Sequence, residues 1–83
     1  MDLIKTKPIG DNTLSIVDVA GQRGWKKWGI ARVIRVIETQ DQFQGANRTN
    51  VVREHFVVKY DARSTKQRNE ALSEATGIFD SLQ

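Results

Sequence analysis

In residues 50–60 (Asn50 to Tyr60) the odd and even positions differ in character. Val52, Phe56, Val58 and Tyr60 share one parity with Glu54, while Val51, Arg53, His55, Val57 and Lys59 share the other. Successive side chains of a β-strand point to opposite faces. A period of two therefore predicts a strand with one apolar face and one largely basic face. A second long β-type run, Trp28 to Thr39, precedes it, and the polar segment Gln40 to Asn50 joins the two. This central strand pair, within residues 24–60, is what the remaining segments must pack around. In the first run Arg32 shares parity with Ile30 and Ile34, whereas Arg35 shares parity with Val33 and Ile37. Either a β-bulge shifts the register between the two arginines, or both faces are partly covered.

The flanks complete an α+β layout in a single domain, residues 1–83. Residues 1–20 read as a hairpin with a turn at Gly10-Asp11-Asn12. Pro8 cannot donate to a ladder, which puts the first strand at an edge. On the returning strand Leu14 and Ile16 share one face, and Val17 and Val19 the other. After Tyr60 the period lengthens. Ser64 followed by Gln67 fits a capping box. Ala71, Leu72, Ala75, Ile78, Phe79 and Leu82 then recur at helical spacing, so a C-terminal amphipathic helix is predicted over 64–82. The expected fold is an antiparallel sheet of three to four strands followed by that helix.

The single helix covers only part of one sheet face, and a short sheet has open edges. A homodimer or larger assembly is expected to complete the fold. Leu72, Ala75, Ile78, Phe79 and Leu82 are the candidate interface residues. No disulfide or thiolate metal site is available, because the chain lacks cysteine. A lone histidine, His55, builds no zinc site by itself, and no metal or other cofactor is expected. Neither a nucleophile elbow nor a phosphate-binding glycine loop is present, so catalysis is not expected.

The net charge is +3, and its distribution is informative. Residues 1–60 hold ten Lys/Arg against six Asp/Glu, and residues 61–83 hold three against four, so the excess lies before the helix. Clustered positive charge favours polyanions. The segment Gly21 to Gly29 sets Trp25 and Trp28 beside Arg23, Lys26 and Lys27. Exposed rings stack with bases while cations neutralise phosphates; alternatively, the tryptophans anchor the core. Arg32, Arg35, Arg53, His55 and Lys59 form a second candidate surface, a cationic strip across the sheet. No apolar run approaches a membrane span, so no membrane partner is expected and a cytoplasmic location is the default.

The sequence Glu54-His55-Phe56-Val57-Val58-Lys59-Tyr60-Asp61-Ala62-Arg63-Ser64-Thr65, running into the helical pattern of 66–82, resembles the end of single-stranded RNA bacteriophage coat proteins. The preceding Arg-bearing run with Ile30, Val33, Ile34 and Val36 is similar in kind. That resemblance implies two subunits sharing one antiparallel sheet, each helix packed on the partner, and RNA on the opposite face. It also implies a shell of many dimers, which would make the location a virion. The leading expectation is therefore a homo-oligomeric protein binding single-stranded nucleic acid, RNA favoured, through a basic sheet face. The competitors are a stand-alone single-strand-binding regulator that forms no shell, and an interaction module for an acidic protein.

Overall fold

The computed structural model describes residues 2–20, 31–42 and 48–83. Four strands form one antiparallel sheet in the order β1-β2-β3-β4, and one helix follows: β1 Asp2–Ile9, β2 Asn12–Ala20, β3 Ala31–Gln42, β4 Arg48–Asp61 and α1 Thr65–Ser81. The α+β expectation holds in its four-stranded form. Strands β3 and β4 outrun the expected runs at the end where they join, because polar residues such as Gln40 and Thr49 still pair along the β3–β4 ladder. Gly10 makes the β1–β2 turn at a φ of +58°, a conformation glycine adopts without the Cβ penalty.

Helix α1 covers one sheet face. The core between them holds Leu14 and Ile16 from β2, Ile34 and Val36 from β3, Tyr60 from β4, and Ala71, Ala75 and Phe79 from the helix. Phe56, Val58, Leu72, Ile78 and Leu82 pack around it, half-buried. The helix stripe is thus engaged within its own chain. Ala75 and Phe79 are buried there and unavailable as interface residues, which corrects that expectation. The small alanines let the helix approach the sheet, and Phe79 fills the space near its end.

Both helix ends are satisfied from outside the last turns. At the start, the Ser64 hydroxyl accepts from the Gln67 amide at 3.2 Å, as the capping box predicts. The reciprocal arm reaches further back than expected: Gln67 Oε1 accepts from the Asp61 amide at 3.0 Å. At the other end, Lys7 of β1 donates to the Phe79 and Leu82 carbonyls, each at 2.7 Å. The cation that complements a helix C-terminus is supplied here by a strand distant in sequence.

Between Arg32 and Arg35 the β3 alternation is regular. Arg32, Ile34 and Val36 lie on the helix face, and Val33, Arg35 and Ile37 lie opposite. The second of the two expected alternatives holds: both faces carry apolar residues. Val17, Val33 and Ile37 are buried on the side away from the helix.

Candidate nucleic-acid interface

The strand that dominates the sequence pattern does not alternate simply. Val36 pairs with Phe56 but Ile37 pairs with Glu54, and Glu38 pairs with Arg53 but Thr39 pairs with Val51. His55 and Val52 are surplus residues, so β4 carries two bulges within four residues. The first inverts parity and the second restores it. Consequently Phe56, Val58 and Tyr60 face the helix, and Val51, Val57 and Lys59 face away, as simple alternation predicts. Only residues 53–55 are displaced. Glu54 moves to the far face, where it pairs with Arg35 at 2.5 Å. His55 and Arg53 move to the helix side, where the His55 Nε2 meets Glu38 Oε1 at 3.1 Å.

The expected cationic strip is therefore divided. Arg32 lies on the helix face, bound to Asp18 at 2.7 Å and close to Asp2 at 3.6 Å. Arg53 and His55 share that side, at the opposite end of the sheet. Arg35 and Lys59 alone remain on the far face. The expectation that Arg53, His55 and Lys59 share one surface is overturned by the bulge at His55. Arg23, Trp25, Lys26 and Lys27 lie outside the described residues.

The far face has a consistent chemistry. Cross-strand rows place Leu3, Val17, Arg35 and Val57 together, then Val19, Val33 and Lys59, then Thr6, Ser15, Ile37 and Glu54. It is an apolar and hydroxyl-bearing surface with Arg35, Lys59 and the Arg35 partner Glu54 toward β4. Val57 is 50% exposed and Val51 is 47% exposed, both on this face and both on the outermost strand.

Two acidic nodes lie on the helix face. Asp18, 2% exposed, accepts from the Tyr60 hydroxyl at 2.5 Å and from Arg32 Nε at 2.7 Å, with Arg68 Nε of α1 at 3.4 Å. Burial alone raises the pKa of this carboxyl, but Tyr60, Arg32 and Arg68 outweigh it, and the net shift is downward. Burial, then donation to Asp18, pushes the Tyr60 phenol up. Glu38, at the other end, accepts from Asn12 Nδ2 at 2.6 Å and is held with His55. The Asn12 bond first, then His55, keep Glu38 below its ordinary range, with a further contribution from Arg53.

Past the helix C-terminus the sheet runs on uncovered and forms an open groove of about 640 Å³ beside Glu38, His55 and Arg53. Asp18 and Glu38 act here as cross-strand partners, the role that carboxylates on β-type runs suggest, and Asn12 joins Glu38 from the turn. Asp18 stands out in the sequence as the lone acid within the apolar run Leu14 to Val19. The pairing of Glu38 with His55 is not legible there, because His55 reaches it only through the bulge. No protein-family model, no curated protein and no solved structure matches the chain. No helix among the described residues is long and apolar enough to cross a membrane.

Proposed function

We propose that the chain is a homo-oligomeric protein that binds single-stranded nucleic acid, RNA favoured, on the sheet face away from the helix. A coat-like role is its most specific form, and its work is binding without catalysis. The observation that carries this reading is the contrast between the two edges. β1 is a guarded edge: it contains Pro8, bulges at Ile4, and commits Lys7 to the helix end. β4 spans fourteen residues, contains no proline and exposes Val51, Val52 and Val57. A long outermost strand with exposed β-branched side chains favours pairing with another strand. Pairing of β4 with β4 of a second copy would join two sheets and bring two sets of Arg35 and Lys59 onto one surface. Phosphates would meet these cations, and bases would lie against Val57 and its neighbours.

Sedimentation and RNA-binding anisotropy test the two halves. A dimer or larger species is expected, and a monomer at high concentration removes the assembly. RNA affinity should rise as salt falls; absence of binding at low salt removes the nucleic-acid half. Arg35→Ala with Lys59→Ala should weaken binding while shifting stability by under about 1 kcal/mol, since the Arg35–Glu54 pair is solvent-exposed. Electron microscopy separates a shell from a stand-alone regulator, because only the coat form yields uniform particles.

A further inference from the structure

The groove at the sheet end is a different surface from the one assigned to phosphates, and its chemistry is different too. Its floor is the Glu38 carboxylate, mostly shielded, with a side chain 13% exposed. Each oxygen accepts one bond, Oε1 with His55 and Oε2 from Asn12. A carboxylate oxygen has about two acceptor positions, so this carboxylate keeps one on each oxygen. Neither fixed donor is a permanent cation, in contrast with Asp18, which has Arg32 and Arg68. Arg53, Gln40, His55 and Val52 line the groove around it, with a second carboxylate, Asp11, at the β1–β2 turn.

We propose that this groove takes a guanine base from single-stranded RNA. This rests on the nucleic-acid reading and adds base preference to it. A rigid carboxylate with a free acceptor site on each oxygen matches the two adjacent donors of guanine, N1–H and the 2-amino group. Adenine and uracil offer no such pair on that edge, and cytosine offers one amino group. Unpaired bases in single strands are held by hydrogen bonds to this edge and by stacking on guanidinium planes, which the exposed Arg53 supplies. Val52, 48% exposed, gives the base an apolar wall.

The test is a titration of the isotope-labelled protein with GMP, IMP and AMP, followed by amide chemical shifts. GMP should move the amides of Asn12, Gln40, Arg53 and His55 and bind roughly tenfold or more tightly than AMP, as paired base contacts discriminate. IMP, which lacks the 2-amino group, should fall between them. Glu38→Gln should erase the preference. Should that variant fail to fold, Val52→Trp fills the groove from an exposed position and should abolish the GMP shifts. Equal affinity for GMP and AMP, or shifts confined to the far face, overturns the proposal. A guanine-free oligonucleotide measured in parallel separates the outcomes: if it binds while GMP shows no preference, the broader reading stands and this inference falls.

Discussion

The sheet has an acidic side chain at each end of its helix side, and the two are handled in opposite ways. Asp18 is enclosed by β2, β3, β4 and α1, through its own strand, Arg32, Tyr60 and Arg68. Two permanent cations and a phenol occupy it, and it ties the helix start to three strands. Glu38 is met by a neutral amide and an imidazole, and a groove opens beside it. The difference teaches that a shielded carboxylate acts as a fastener when fixed cations fill its acceptor sites. With sites left over, it remains a receptor.

Phe79 offers the largest expected effect and sets a scale for that contrast, since it carries no charge and lies fully in the core. Phe79→Ala should cost about 3–5 kcal/mol by denaturant titration. A loss of only a few tenths would detach the helix from the account of both ends. Asp18→Asn comes next, at about 3 kcal/mol. Breaking a buried pair costs 3–5, and partial exposure of the arginines sets this one at the low end. The same chemical change at the other end, Glu38→Gln, should cost about 1 kcal/mol, the value of an ordinary hydrogen bond. Equal losses for Asp18→Asn and Glu38→Gln would break the comparison.

Acid titration sharpens it further. Both carboxyls are held below their ordinary range in the folded chain, so near pH 4 the unfolded chain binds more protons. Their contribution is complete above that range and fades as pH falls through the lowered values. The Asp18→Asn variant should therefore show a flatter loss of stability below pH 4 than the parent. The smallest effect is expected from Arg68→Ala, well under 1 kcal/mol, because its guanidinium is substantially exposed and Arg32 remains on Asp18.

Much of this architecture is legible in the residues themselves. The 3.6-residue recurrence from Ala71 to Leu82 defines the helix, and Ser64 its start. Leu14 and Ile16 against Val17 and Val19 give the correct faces of β2. What alternation misassigns is limited to residues 53–55, because the bulges at His55 and Val52 cancel on either side of them. A bulge depends on which residue of the neighbouring strand takes the ladder bonds, and a one-strand pattern does not contain that. Ala75 and Phe79 differ from the interface expectation for a related reason: an apolar stripe states that a helix must be covered, not which surface covers it. For Phe79 and Ala75 the cover is the chain's own sheet.

The paired surplus in β4 has a consequence for how this strand tolerates length changes. Excision of His55 alone would remove the bulge together with its surplus residue, leaving Glu54 opposite Ile37 and Val51 opposite Thr39. The same holds for Val52, which has no rung of its own between Arg53 and Val51. A library of single-codon deletions along β4 is expected to show these two positions as islands of retained yield, against losses where a buried, paired residue such as Tyr60 is removed.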